Sequence, residues 1–128
     1  MKTYKVNRTL VYGLTLIVIL GAGLATATRL SRARTPPTTN ITVTNNSSRE
    51  IWHLFLSPPD SNKWSADQLQ DSKITPDHSA TLSDVSCDQA NIKVIAEDQN
   101  GCFLYQTVAC GGNVTWTITN DATPDCGN

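Results

Sequence analysis

The hydropathy pattern divides this chain into three stretches. From Leu10 to Ala27 the sequence LVYGLTLIVILGAGLATA carries no charge. Residues 28–39, TRLSRARTPPTT, are polar, basic and without apolar periodicity, and they read as a short tether stiffened at Pro36-Pro37. From residue 40 onward the period shortens to two. Asn40–Thr44 places Ile41 and Val43 on one face, and Val114–Thr119 alternates throughout, with Val114, Trp116 and Ile118 inward. Glu50–Ser57, EIWHLFLS, is apolar on both faces and predicts a central strand with Trp52 inward. Ala80–Ser83 predicts a short strand, and Asn91–Glu97 and Cys102–Val108 predict two more around the turn Asp98-Gln99-Asn100-Gly101. Asn45–Ser48 and Gly111–Asn113 carry turn chemistry. One helical turn or two is expected between the second and third strands, where Ser65-Ala66-Asp67-Gln68 fits a capping box and Leu69 would pack inward.

These elements predict an all-β fold: a small, disulfide-bonded antiparallel β-sandwich over residues 40–128 with one short helix, preceded by an N-terminal hydrophobic helix. The apolar stretch admits two roles. Ala25-Thr26-Ala27 is a small-x-small pattern suited to signal-peptide cleavage. An export segment takes about 7–15 apolar residues and a spanning helix roughly 17–25, so the length favours an uncleaved signal anchor. Residues 1–27 are therefore read as a signal peptide or signal anchor, with the membrane as partner through residues 10–27.

Charge sharpens this division. The first 34 residues carry six bases and no acid, whereas residues 40–128 carry four bases and eleven acids. An acidic body excludes a nucleic-acid-binding surface, because neutralising phosphates needs a basic patch. The arginines of the tether, Arg29, Arg32 and Arg34, suit either a solvated linker or contact with anionic headgroups.

All four cysteines lie beyond the tether, at Cys87, Cys102, Cys110 and Cys126. No C-x-x-C pair is present to suggest zinc, so two disulfides in an exported domain are expected. The strand Cys102–Cys110 spans about 26 Å, too far for its two ends to pair. The hairpin at Asp98–Gly101 returns Cys87 towards Cys110, and the following strand and tail carry Cys126 past Cys102. The expected bonds are Cys87–Cys110 and Cys102–Cys126. Together these features predict an extracytoplasmic protein, either single-pass and membrane-anchored or secreted.

Several motifs share one order along the body. They are Asn45-Asn46-Ser47, Ile51, Ser57-Pro58, Trp64-Ser65-Ala66-Asp67-Gln68-Leu69, Pro76, Cys87 and Asn91-Ile92-Lys93-Val94, ending at Asp98–Gly101. Over residues 40–119 this resembles small exported bacterial domains marked by an SP…W-G-x-D-x-L…P-G…C-x-x-D pattern, a family without an assigned activity. Ser65 stands where that pattern has Gly, Asp77 where Gly follows the proline, and Asn91 where Asp is usual. Val43–Ser47 with Ile51-Trp52 is also similar to the first hairpin of thaumatin-like proteins and aegerolysins, which implies a β-sandwich.

The candidate chemistry is sparse. His53 lies mid-strand and His78 in a turn, and no G-x-S-x-G, H-E-x-x-H or G-x-x-x-x-G-K motif occurs. A non-catalytic binding or structural module of the cell envelope is expected, acting on an extracytoplasmic protein or a glycan and needing no cofactor. A small secreted hydrolase remains the minority class. Asp60, Asn62, Asp67 and Asp71 surround Trp64 with oxygen ligands suited to Ca²⁺, but Lys63 lies among them and the spacing fails the EF-hand pattern, so a solvated acidic loop is the simpler reading. Trp64 either plugs one end of the sandwich above Leu69 or stacks on a sugar ring beside Asp60, Asn62 and Asp67.

Overall fold

The computed structural model describes residues 34–127. Alternation governs the first strand, β1 (Thr38–Asn46), in which Thr39, Ile41, Val43 and Asn45 are buried and the residues between them are not. Five more strands follow: β2 (Ile51–Ser57), β3 (His78–Ser86), β4 (Asn91–Asp98), β5 (Phe103–Ala109) and β6 (Asn113–Thr119). They form two three-stranded sheets, in the orders β3-β1-β6 and β2-β4-β5. The sheets share one apolar core. Ile41, Val43, Val85 and Ile118 come from the first sheet, and Ile51, Leu54, Val94, Ala96 and Leu104 from the second. Full burial of each Leu or Ile is worth about 1.5–3 kcal/mol, and this cluster supplies most of the drive to fold.

The sheets are not purely antiparallel. β1 pairs β3 antiparallel but β6 in parallel, with Val43 opposite Trp116. The chain leaves the second sheet at the end of β5, and the Gly112 carbonyl accepts from Asn40 N at 2.9 Å and from Thr39 Oγ1 at 2.8 Å. Those bonds start β6 beside the beginning of β1, so the two strands run the same way. β3 is longer than the Ala80–Ser83 that apolar periodicity marks. As an edge strand it exposes Ser79, Thr81, Ser83 and Asp84, which leaves little apolar alternation to read.

The expected helix at Ser65–Leu69 is absent, and no helix occurs among the described residues. The capping side chains have other partners. Ser65 Oγ accepts from Leu56 N at 2.9 Å, and Ser65 N donates to the Leu56 carbonyl at 2.8 Å. Asp67 Oδ1 accepts from Leu54 N at 3.0 Å, and Gln68 N donates to the Leu54 carbonyl at 2.7 Å. Ile74 then bridges Ile51. The segment from Ser65 to Ile74 thus lies along the outer edge of β2 and satisfies its peptide groups, as a neighbouring strand would. The hydrophobic helix expected over residues 10–27 lies outside the described residues, as does the first half of the tether.

Cys87 is bonded to Cys110 and Cys102 to Cys126. The first bond joins the end of β3 to the end of β5 and so ties the two sheets together. The second fixes the tail against β5, where Phe103 and Asp125 exchange backbone hydrogen bonds of 2.7 and 2.8 Å. A loop of this size is worth about 3 kcal/mol in chain-entropy terms.

Buried polar groups complete the frame. Asn45, fully buried, donates to the carbonyls of Arg49 and Ile74 at 2.7 and 3.1 Å and accepts from Ser47 Oγ at 2.7 Å. It ties the crossing from β1 to β2 to the segment that covers the β2 edge. Arg49 donates to the carbonyls of Thr119 and Ala122 at 3.3 and 3.2 Å, and its Nε lies 3.8 Å from the buried carboxylate of Asp98.

Candidate functional site

Each strand of the second sheet has two faces. Leu54, Val94, Ala96 and Leu104 enter the core. Residues of the opposite parity point away from it. Phe55 is registered with Ile95, and Ile95 with Tyr105, while Glu97 lies opposite both His53 and Phe103. Ile95 is fully buried although it faces away from the core, which requires a cover on the outer side of the sheet. Its cross-strand neighbours supply that cover, together with Trp64 from the loop after β2.

The result is a continuous row of rings. Centroid separations are 6.1 Å for His53–Phe55, 5.3 Å for Phe55–Trp64, 5.2 Å for Trp64–Phe103 and 6.4 Å for Phe103–Tyr105. Trp64 and Phe103 meet edge to face, and the other pairs are tilted or near-stacked, both favourable arrangements of ring quadrupoles. Trp64 remains 40% exposed and Tyr105 45%. Trp64 therefore does not plug an end of the sandwich; it lies on the outer face of the sheet, half covered by two phenylalanines.

Polar groups border the row. Asp67 Oδ2 accepts from His53 Nδ1 at 2.8 Å, while Oδ1 takes the amides of Leu54 and Leu69, each at 3.0 Å. Partial burial pushes the Asp67 carboxyl up, but the His53 and backbone hydrogen bonds outweigh it and hold the group below the usual aspartate range. Lys93 Nζ donates to the Ser61 carbonyl at 3.2 Å, steadying the loop that carries Trp64. Burial and the nearby Asp125 carboxylate push the Tyr105 phenol up, so it stays protonated at neutral pH and can both donate and accept.

The sequence candidates separate here. Trp64 joins the row. Asp67 lies beside it but spends its oxygens on His53 and two amides. Asp60 and Asn62 are exposed in the loop before Trp64. The cation cluster considered for these residues does not assemble, and among the described residues no three His, Cys, Asp or Glu side chains converge on a metal position. His53 makes no hydrogen bond to a Ser, Thr or Cys side chain among the described residues, and His78 Nδ1 lies against Thr75 Oγ1 and the Pro76 carbonyl at 3.0 and 2.8 Å.

Trp52 is exposed rather than inward. The register shifts between Ile51 and His53, and this irregularity sets Trp52 outside the alternation. Its indole donates to Glu50 Oε2 at 3.1 Å, and Lys73 Nζ reaches both Glu50 oxygens at 2.9 Å. The Lys73 and Trp52 hydrogen bonds pull the Glu50 carboxyl down.

Phe55, Phe103 and Tyr105 are the members that reading along the sequence passes over. Their signal is parity. Phe55 alternates out of phase with Leu54 and Leu56, and Phe103 and Tyr105 with Leu104, so three rings on two strands share the non-core face.

No protein-family model matches the chain, and no curated protein matches it. Among solved structures, it is similar to a protein from Eubacterium rectale determined by NMR. That match has 16% identity over 70% of this chain and 84% of the other, with a TM-score of 0.49. A likeness this distant carries no argument about function.

Proposed function

We propose that this chain is an exported, non-catalytic binding module whose contact surface is the aromatic outer face of the β2-β4-β5 sheet, and that the surface holds neutral glycan chains. Residues 10–27 are assigned to export or anchorage, and the two disulfides are consistent with an oxidising compartment. The observation that carries the reading is the ring row itself: exposed Trp64 and Tyr105 over the outer face of the sheet, with Phe55 and Phe103 bracing them.

A pyranose presents a C–H face that packs on an aromatic ring and hydroxyls that need polar partners at its edge. Trp64 and Tyr105 supply the rings, and Glu97 and the Tyr105 phenol supply edge partners. The excess of acids over bases from residue 40 onward disfavours anionic polysaccharides and leaves neutral or cationic ones.

Titration of intrinsic tryptophan fluorescence with β-linked neutral oligosaccharides tests this. Saturable quenching is expected in the native chain, with affinity lowered about tenfold or more in Trp64→Ala, an exposed anchor of the kind that dominates binding surfaces. No quenching with any glycan of the series, or equal affinity in Trp64→Ala, would reject the glycan reading.

A further inference from the structure

A concave surface lies apart from the ring row. It is a groove of about 560 Å³ between β3 and the start of the loop after β2, within the range of ligand sites. Its floor is apolar, formed by Leu56, Leu82, Val85 and Ile92, and its lining among the described residues includes two acids, Asp84 and Asp88, and no base.

The two sheet edges beside it differ. The β2 edge is covered by Ser65–Ile74, as described above. The β3 edge pairs with β1 on one side and, among the described residues, with no strand on the other. Alternate peptide N–H and C=O groups of β3 therefore face outward, ready to accept another extended backbone. Asp84 interrupts this edge. Its φ is +54°, in the left-handed region that Asp tolerates better than most residues, and its amide is turned inward to Asn40 Oδ1 at 2.9 Å. The bend falls at a residue that lines the groove.

We infer that the groove along β3 binds an extended cationic–apolar peptide segment of a partner protein. The open β3 edge would pair with the peptide backbone, the floor would take its apolar side chains, and Asp84 and Asp88 would take its Lys or Arg. An open strand edge matches a peptide backbone, and the charge of the lining selects a basic one. This binding is independent of the ring row, so failure of either reading leaves the other standing.

The test is NMR titration of the isotopically labelled full chain in lipid nanodiscs with a synthetic peptide of alternating Lys and Val. An alternating Glu–Val peptide serves as control. Saturable shifts confined to residues 81–92 and 56–58 are expected with Lys–Val. Affinity should fall about tenfold in the Asp84→Asn, Asp88→Asn double variant, in which Asn keeps the left-handed backbone accessible. Unchanged melting of that variant excludes a folding defect; if it melts lower, added salt must weaken the native complex to a similar degree. The proposal is overturned if Glu–Val binds as tightly, if the shifts fall on Phe103 and Tyr105, or if Lys–Val produces none. It is equally overturned if residues 81–87 shift with protein concentration alone, which would make a second copy the occupant.

Discussion

The two faces of the β2-β4-β5 sheet are built from the same three strands, yet they differ in chemistry. The inner face presents aliphatic side chains, with Leu54, Val94 and Ala96 at 0% exposure and Leu104 at 4%. The outer face presents rings around one buried aliphatic, Ile95, and leaves Trp64 and Tyr105 about half exposed. Aliphatic side chains pack without orientation and are buried completely. Rings contribute area and a directional surface, and they can stabilise a fold while still facing a ligand. The comparison separates residues that hold the sheets together from residues the fold tolerates at the surface.

The largest effect should come from the inner face. Leu54→Ala removes a fully buried side chain from the shared core and should cost about 2–5 kcal/mol, read by denaturant unfolding. A cost below about 1 kcal/mol would mean that the core relaxes into the space, and the inner face would lose its special status.

The disulfides divide the faces in another way. Replacing Cys102 and Cys126 by Ser should cost about 2–5 kcal/mol and should also weaken oligosaccharide binding, because that bond holds the tail against Phe103. Replacing Cys87 and Cys110 should cost a similar amount, about 2–5 kcal/mol, with little change in binding by the chains that remain folded. Equal loss of binding in both pairs would show that the ring row depends on global stability alone.

How much of this was legible follows from what each feature depends on. Most strand periodicity and the hairpin around Gly101 were readable, because alternation and turn chemistry are local, and Gly101 adopts a φ of +75°, as the turn requires. β2, expected to be central with Trp52 inward, is instead an edge strand whose both-face apolarity comes from the core on one side and the ring row on the other. The cysteine pairing was readable because a strand's length forbids one bond and a hairpin favours another. The segment Ser65–Leu69 was misread because a capping box and an edge cover use the same side-chain oxygens, and only the position of β2 decides which amides they meet. The parallel β1–β6 pair depends on where the chain crosses between sheets, which leaves no period. The ring row needed the register of three strands at once. Phe55 and Tyr105 flank one residue, Ile95, only because both strands pair with β4 at that position.

A smaller effect should appear at the border of the outer face, and it is pH-dependent. The folded state holds Asp67 below its ordinary value of 3.8. The native state then binds fewer protons than the unfolded state through this window, so stability rises with pH. The contribution is complete above about 3.8 and is lost as pH falls through the lower folded value. Asp67→Asn should therefore melt below the native chain at neutral pH, with the difference narrowing as the solution is acidified past that window. A constant difference down to strongly acidic pH would assign the loss to the amide contacts of Leu54 and Leu69 instead of the charge.

The smallest effect on stability, and the sharpest test of the comparison, belongs to Tyr105. Its backbone is held by β4, its ring is 45% exposed, and Phe103 is its ring partner at 6.4 Å. Tyr105 shares the cover of Ile95 with Phe55 and Trp64, which both remain, so truncating its exposed ring should change unfolding free energy by only about 0.5–1 kcal/mol. If the row is a contact surface, the same Tyr105→Ala change should lower oligosaccharide affinity several-fold, while Tyr105→Phe keeps the stacking and loses only what the phenol contributes. A row that exists only to shield Ile95 predicts the reverse: stability lost in Tyr105→Ala as Ile95 is uncovered, and binding unaffected. Melting and titration on these two variants separate a covering role from a contacting one, because a cover is measured by what it hides and a platform by what it meets.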